Sequence, residues 1–239
     1  MMSGSEQASP VAIVTGGGRG MGAAIARELH ARGYRLALMS PSASAKELAA
    51  EMGGVGIEGR AENAFDLERL VDAARSSFGR VDAVVNHTGH PPKGDLLAMD
   101  EAKWLSGHEM IVLSVLRMAR LVTPIMLEQG KGAFLNITTF AAFEPTNALP
   151  VSCTYRAAVG SFTKLFADRY AAENIRMNAL LPGYIDSLEH KPGTAEAIPM
   201  QRIGKMAEIA KTAAFLLSDD AGYITGQNIR VDGGVTRHV

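Results

Sequence analysis

A doubly wound α/β fold, with a parallel sheet of about seven strands and helices on both faces, is predicted by three observations. Short apolar runs alternate along the chain with longer segments of helical periodicity. A glycine-rich turn joins the first apolar run to the first helical segment. The length of 239 residues, with 47% hydrophobic residues, suits one α/β domain spanning the whole chain around a single core.

Seven apolar runs predict the strands, and they fall at residues 11–14, 34–39, 55–59, 81–86, 133–138, 175–180 and 228–231. The helices are predicted between them, at 23–33, 43–52, 65–78, 104–127, 152–170 and 207–217. Segment 185–199 contains Pro192, Gly193 and Pro199 but little periodicity, so we expect a substrate lid over 185–200. Residues 1–9 are polar and are expected to form a disordered tail.

The bulk composition excludes several function classes. With 24 basic and 25 acidic side chains, nothing suggests binding to nucleic acid or to a membrane surface. One cysteine, Cys153, permits no intrachain disulfide and favours the cytoplasm. The N-terminus lacks the layout of a secretion signal, and we expect no apolar run near the ~18 residues that span a bilayer. No metal site is predicted.

The glycine-rich turn carries the main functional prediction. Thr15 ends the first strand, and the turn Gly16-Gly-Gly-Arg-Gly20-Met-Gly22 leads into the first helix. This arrangement directs backbone N–H groups and the positive end of the helix dipole at one point, which suits a pyrophosphate. Glycines allow the tight turn, the close approach of the phosphates and the packing of helix on strand.

The end of the second strand bears on which dinucleotide binds. An acidic side chain there would hold the ribose 2′-hydroxyl of NAD, but this chain has the neutral Ser40 and Ser42. Arg19 in the glycine turn can reach the same region, unless it is simply solvated. A 2′-phosphate would meet a cation and no repulsion, so NADP(H) is favoured and NAD(H) remains possible.

The spacing Thr15-Gly16-x-x-x-Gly20-x-Gly22 resembles the short-chain dehydrogenase/reductase family, which has a Rossmann-type sheet. Asn86-His-Thr-Gly89, Pro182-Gly183 and the closing segment 223–234 are similar to family segments in the same order. The resemblance implies a nicotinamide cofactor, a small-molecule substrate and a homo-oligomer, either a dimer or a tetramer. The implied cofactor-binding residues are Thr15, Gly16, Gly18, Arg19, Gly20, Met21, Gly22, Ser40, Asn86, His87, Gly89, Arg156, Pro182, Gly183, Ile185 and Ser187.

One cofactor element departs from the family pattern. Family members usually have an aspartate after the third strand that binds the adenine amino group, and Arg60 stands in that place. A cation cannot accept a hydrogen bond, so Glu62 or a backbone carbonyl must substitute.

The catalytic positions of the family are all changed. The resemblance implies a serine, a tyrosine, a lysine and an asparagine, at which this chain has Thr139, Ser152, Arg156 and Ile111. Thr139 can still donate to a carbonyl oxygen, and Arg156 can still hold ribose hydroxyls and supply charge. Ser152 is the serious loss, because an alcohol has little acidity near neutral pH without an adjacent base.

Four other side chains are candidates for the missing acid. Tyr155 is ~60° round the helix from Ser152 and could reach the pocket, although packing against a neighbouring helix is the commoner role. His87 and His90 titrate in the right range, although most loop histidines are solvated. Glu144 follows the fifth strand, where a surface carboxylate is the usual case.

The sequence therefore predicts an NAD(P)(H)-dependent oxidoreductase acting on a small carbonyl or alcohol, with non-standard catalytic residues among Thr139, Ser152, Tyr155 and Arg156. Two alternatives remain open. The chain can be a catalytically silent dinucleotide-binding protein. It can also run a cofactor-independent lyase or dehalogenase chemistry, because Arg156 matches the arginine of halohydrin dehalogenases, whereas Ser152 does not match their tyrosine.

Overall fold

The computed structural model of the chain describes residues 9–237, so the predicted tail lies almost wholly outside the described residues. All seven predicted strands are present, with shifts of one or two residues at their ends. The strands are β1 Val11–Thr15, β2 Arg35–Ser40, β3 Val55–Glu58, β4 Ala83–Asn86, β5 Gly132–Ile137, β6 Ile175–Pro182 and β7 Asn228–Val231.

The strands form one sheet in the order β3-β2-β1-β4-β5-β6-β7, and every neighbouring pair is parallel. Strand order reverses between β1 and β4, which are adjacent although two strands separate them in sequence. Because ligands of such sheets bind beyond the carboxyl ends of the strands at this reversal, the fold places the loops after β1, β4, β5 and β6 at one site.

Seven α-helices cover the two faces of the sheet within residues 9–237. They are α1 Gly20–Ala31, α2 Ser44–Glu51, α3 Ala64–Phe78, α4 Glu101–His108, α5 Ser114–Gln129, α6 Pro150–Tyr170 and α7 Met206–Leu217. Helices α1, α2 and α7 bury Ile25, Leu48 and Ile209 on one face. Helices α3, α5 and α6 bury Leu70, Met118 and Phe166 on the other. The sheet is therefore buried on both sides, as its continuous apolar runs require.

The predicted helix at 104–127 is interrupted, because Glu109–Leu113 between α4 and α5 is π-helical. A π-turn holds more residues than an α-turn and disturbs the regular backbone hydrogen bonds. The hydroxyl of Ser114 donates to the carbonyl oxygens of Met110 at 2.7 Å and Ile111 at 3.4 Å, which supplies a partner at the disturbed turn.

The whole run Glu101–Gln129 is long and apolar enough, by length and composition alone, to cross a membrane. The expectation that no apolar run approaches this length was therefore wrong. Half of its most apolar window is buried in the protein, where residues such as Met118 and Val122 pack on the sheet. A core helix of this kind passes the same test, so the finding is weak evidence for a membrane span.

Candidate functional site

The turn after β1 has the backbone shape that close phosphate approach requires. Gly16 and Gly20 adopt φ values of 59° and 55°, in the left-handed region that favours glycine. A Cβ atom on Gly22 would lie 2.0 Å from the carbonyl oxygen of Gly16, and one on Gly18 would lie 2.2 Å from Oγ of Ser44. The turn therefore admits no side chain at these two positions.

The N-terminus of α1 opens towards this turn. Arg19 precedes the helix in an extended conformation, and its side chain makes no capping hydrogen bond. The first N–H groups of a helix have no partner inside the helix, so they remain available for an anion. This geometry fits the pyrophosphate that the sequence predicts.

A pair of reciprocal hydrogen bonds joins the ends of β1 and β4. The hydroxyl of Thr15 donates to the carbonyl oxygen of His87 at 2.8 Å, and the N–H of His87 donates back to that hydroxyl at 2.9 Å. The His87 ring nitrogen Nδ1 lies 3.4 Å from the carbonyl oxygen of Gly16. The glycine turn and the loop after β4 are therefore held together across the strand reversal.

Three serine hydroxyls cluster beside the turn, at the end of β2. Ser40 donates to the carbonyl oxygen of Ser42 at 2.8 Å, and Ser44 lies 3.2 Å from Ser40 and 3.0 Å from Ser42, oxygen to oxygen. Among them Ser40 is buried and Ser42 is exposed. The cluster is neutral and rich in hydroxyl groups at the position where NAD-binding folds carry an acid.

A cleft of ≈ 570 Å³ opens above the carboxyl ends of β4, β5 and β6. It brings together twelve of the predicted site residues. They are Arg19, Gly20, Met21, His87, Gly89, Thr139, Ser152, Arg156, Pro182, Gly183, Ile185 and Ser187. The loops predicted to form the site therefore converge on one cavity.

Arg156 is the central charged group of this cleft. Its side chain is buried, with a relative exposure of 8%, and it lies one helical turn after Ser152 on α6. Nε donates to the Ser152 hydroxyl at 3.2 Å, and Nη1 donates to the carbonyl oxygen of Ile137 at 2.6 Å. Burial lowers the pKa of the guanidinium to about 10, so the group stays charged at neutral pH.

The two histidines after β4 lie close to Arg156. Burial, together with the charge of Arg156, lowers the pKa of His87 to about 4, against a smaller opposing effect of the Gly16 carbonyl. Burial also lowers the pKa of His90, and the charges of Lys93 and Arg156 lower it further. His87 is therefore neutral at pH 7 and is a poor reservoir for a catalytic proton.

Several predicted residues lie outside the cleft. The Tyr155 ring packs against Trp104 and His108, with ring centroids 5.9 and 5.5 Å away, on the side of α6 that faces α4. Ile111 packs with other apolar side chains of the core. Glu144 accepts a hydrogen bond from the N–H of Arg237 near the C-terminus.

Asn86 also points away from the cleft. Its side chain donates to Asn136 at 2.8 Å, and Asn136 donates to Thr163 at 3.0 Å. This buried chain of hydrogen bonds joins β4, β5 and α6 beneath the site. Arg60 and Glu62, at the predicted adenine position, pair with each other at 3.4 Å on the surface.

The structure adds lining residues that the sequence reasoning missed, and five of them have side chains that shape the cleft. They are Lys93, Phe140, Leu149, Tyr184 and His190. Tyr184 packs on Phe140 and on His190, with centroids 5.3 and 5.5 Å apart, and His190 Nε2 lies 2.7 Å from the carbonyl oxygen of Ile185. These residues sit in loops without periodicity; only the aromatic side chains next to Thr139 and Gly183 could have indicated a cleft wall.

The fold and the site together define a dinucleotide-binding α/β protein of the Rossmann type. A family model described as enoyl-(acyl carrier protein) reductase matches residues 16–236. The chain belongs to the short-chain dehydrogenase/reductase family, and it is an oxidoreductase whose cofactor is a nicotinamide dinucleotide.

Three relatives illustrate the similarity. The 3-oxoacyl-[acyl-carrier-protein] reductase FabG of Staphylococcus epidermidis is 35% identical over 240 residues, which cover 94% of this chain and 98% of that protein. The reductase of the same name from Haemophilus influenzae is 31% identical over 236 residues, 94% and 97% of the two chains. Nodulation protein G of a Rhizobium species is 32% identical over 234 residues, 94% and 96% of the two chains.

Proposed function

We propose that this protein is an NADP(H)-preferring oxidoreductase that interconverts a small carbonyl compound and its alcohol, with Ser152 handling the proton. The observation that carries the proposal is the hydrogen bond from Arg156 to the Ser152 hydroxyl inside the cleft that the glycine turn opens into. The named activity of the FabG relatives, reduction of a 3-oxoacyl group, is also carbonyl chemistry.

The residues that would hold the cofactor are supplied by the glycine turn and the cleft. The backbone of Gly16 to Gly22 would bind the pyrophosphate, Arg156 the ribose hydroxyls, and the segment from Pro182 to Ser187 the carboxamide. A bound reduced nicotinamide supplies a hydride. For the 2′-phosphate, the serine cluster offers hydroxyl donors and Arg19 a cation, with no carboxylate to repel it.

Ser152 and Thr139 are the hydroxyl groups positioned to act on the carbonyl oxygen. Because Arg156 donates to the Ser152 oxygen, the Ser152 hydrogen is free to be donated to the substrate. As the carbonyl carbon accepts a hydride, Ser152 gives its proton to the carbonyl oxygen, and Arg156 stabilises the negative charge left on Ser152. Solvent then returns a proton to Ser152, so one carbonyl, one hydride and one proton yield one alcohol.

The test follows the absorbance of reduced cofactor over a panel of small aldehydes, ketones and oxo acids. We expect oxidation of NADPH with at least one compound and a weaker apparent affinity for NADH. The Ser152→Ala variant should lose about 10²-fold in turnover, within the range for general acid–base catalysis. Full activity in this variant would refute the role of Ser152.

A second candidate function is a catalytically silent dinucleotide-binding protein. The packing of Tyr155 against α4 favours it, because it keeps the Tyr155 phenol out of the cleft. In that case the panel gives no turnover although NADPH binds. Turnover that appears only in the double variant Ser152→Tyr with Arg156→Lys would then show that the glycine turn and the cleft hold the cofactor productively and that the native chain lacks the acid.

The remaining expectations belong to the same proposal. The single domain acts in the cytoplasm as a dimer or tetramer, on a small molecule. Segment 185–200 serves as the substrate lid: Ile185 forms a bridge with Gly204 at its base, whereas Lys191, Pro192 and Glu196 are exposed. Light scattering checks the oligomeric state.

A further inference from the structure

The charges that line the cleft all have one sign. The whole chain balances 24 basic against 25 acidic side chains, yet no aspartate or glutamate lines the cleft within residues 9–237. The basic side chains that line it are Arg19, His87, His90, Lys93, Arg156 and His190. Carboxylates near it in sequence have other partners: Asp186 accepts from the N–H of Met206, and Asp95 from Leu97 and Ala98.

Arg156 holds a charge that no anion within residues 9–237 compensates. No carboxylate of the described residues pairs with it, and its Nη2 makes no hydrogen bond to any of them, although the residue has a relative exposure of only 8%. Removing a cation from water is costly unless an anion or several acceptors replace the water. Two of the five N–H groups of the guanidinium bond to Ser152 and Ile137, which leaves the second N–H of Nη1 for the ribose hydroxyls assigned above and the two N–H groups of Nη2 for a further ligand.

The surroundings of Arg156 limit the charge of that ligand. His87 is neutral at pH 7, as argued above, so Arg156 is the inner fixed charge. Lys93 is exposed, and the charges of both Lys93 and Arg156 act on His90, so His90 lies in the field of both cations. One buried positive charge with a planar donor edge matches a planar monoanion better than a phosphate dianion.

We propose that the substrate carries a carboxylate that binds to the Nη2 edge of Arg156, with Lys93 drawing the anion to the cleft. The inference rests on the proposed function, since Ser152 and Thr139 beside Arg156 would then act on a carbonyl of the same molecule. The substrates are small oxo acids. Reduction by one hydride from the cofactor and one proton from Ser152 gives the hydroxy acid, and the carboxylate is unchanged.

The test measures binding without turnover. Pyruvate and its neutral amide, pyruvamide, are titrated by calorimetry into protein saturated with NADP⁺. We expect pyruvate to bind at least tenfold more tightly than pyruvamide. Arg156→Gln should abolish this preference, and Lys93→Met should reduce the affinity for pyruvate about threefold. Lys211→Met, which removes an equal charge from the exposed face of α7, should leave it unchanged.

Each contrary result has a separate meaning. Equal binding of pyruvate and pyruvamide overturns the inference, and so does a preference for pyruvate that survives in Arg156→Gln. Loss of pyruvate binding on saturation with NADP⁺ also overturns it, because the anion would then occupy a cofactor phosphate site. Bromide binding more tightly than pyruvate also overturns it, in favour of a site for a spherical anion. If Arg156→Gln does not fold, the comparison of pyruvate with pyruvamide in the wild type still decides whether a carboxylate is bound, and Lys93→Met beside Lys211→Met decides whether Lys93 attracts it.

The failure of this inference and that of the proposed function are distinguishable. Tight pyruvate binding without oxidation of NADPH supports the carboxylate site and refutes the reductase. Oxidation of NADPH by neutral ketones alone supports the reductase and refutes the carboxylate site.

Discussion

Two arginines, one near the carboxyl ends of the strands and one near the amino end of β6, have the same relative exposure and different surroundings. Arg156 and Arg176 both have a relative exposure of 8%. Arg176 donates to the carbonyl oxygens of Leu216, Ser218 and Ile224, and the charge of Asp219 partly offsets the effect of burial on its pKa. Arg156 donates to one carbonyl and one hydroxyl and keeps a free edge in the cleft.

The difference between them separates a structural cation from a functional one. Relative exposure alone does not distinguish the two, because it is the same for both residues. What differs is how many of the donors the protein itself satisfies. We therefore expect substitution of Arg176 to act on folding and substitution of Arg156 to act on ligands, which the following experiments test.

The largest effect is expected from Arg156→Met. Methionine fills similar space without the charge, so turnover with the best carbonyl of the panel should fall about 10²–10³-fold, the range for loss of one electrostatic donor. Stability to urea should be unchanged or increased, because a buried cation without a counter-ion is replaced by an apolar group. A marked loss of stability would contradict the comparison.

Arg176→Met should have the opposite profile. Three carbonyl oxygens lose their donor, so the free energy of unfolding should fall by about 2–4 kcal/mol in urea titrations. The affinity of the folded protein for NADPH should not change. Arg169→Met is the matched control, because its exposed pair with Glu173 is worth less than about 0.5 kcal/mol.

The pH dependence of stability tests the protonation state of His87, which lies beside Arg156. The pKa of His87 is about 4 in the folded chain and about 6.5 when unfolded, so the unfolded chain binds the extra proton between these values. His87 thus contributes stability above pH 6.5 that is lost as the pH falls to 4. We expect this loss to be about 1–2 kcal/mol, allowing for partial exposure of the ring.

His87→Gln tests that contribution by chemical denaturation at several pH values. Glutamine can donate to the Gly16 carbonyl but does not titrate, so the variant should lose less stability than the wild type between pH 6.5 and 4. Equal slopes for the two proteins would contradict the buried neutral state of His87.

The smallest effect is expected from Tyr155→Phe. Because the Tyr155 ring packs on Trp104 and His108 and does not line the cleft, removal of its hydroxyl should change turnover less than about twofold. Steady-state kinetics of this variant beside Ser152→Ala provide the measurement. A loss of turnover as large as that of Ser152→Ala would show that the Tyr155 hydroxyl takes part in the reaction.

The sequence was sufficient for the sheet and for the glycine turn, because both depend on local patterns. An apolar run bounded by glycine or proline predicts a strand wherever the strand lies in the sheet. The prediction of one helix over 104–127 was only partly correct. A single π-turn at Glu109–Leu113 shifts the register by a fraction of a turn, which apolar periodicity does not reveal.

The cleft was harder to predict, because it depends on where side chains point. Tyr155 is one position away from Arg156, and only the neighbouring α4 decides that its ring turns to Trp104. Asn86 follows three apolar strand residues, and its burial against Asn136 depends on a strand 50 positions away. Lys93 and His190 lie in irregular loops, so their meeting with Arg156 in one cavity is a property of the tertiary fold.

The π-helical segment Glu109–Leu113 inserts about one extra residue into one long helix. Because an α-helix turns about 100° per residue and the π-turn absorbs about one extra residue, rewinding this segment as a regular α-helix without removing a residue would rotate α4 through roughly that angle. Trp104 and His108 would then no longer face Tyr155. The direction in which that tyrosine is held is thus determined by residue count as well as by side-chain chemistry, and one extra residue in the turn is enough to set it.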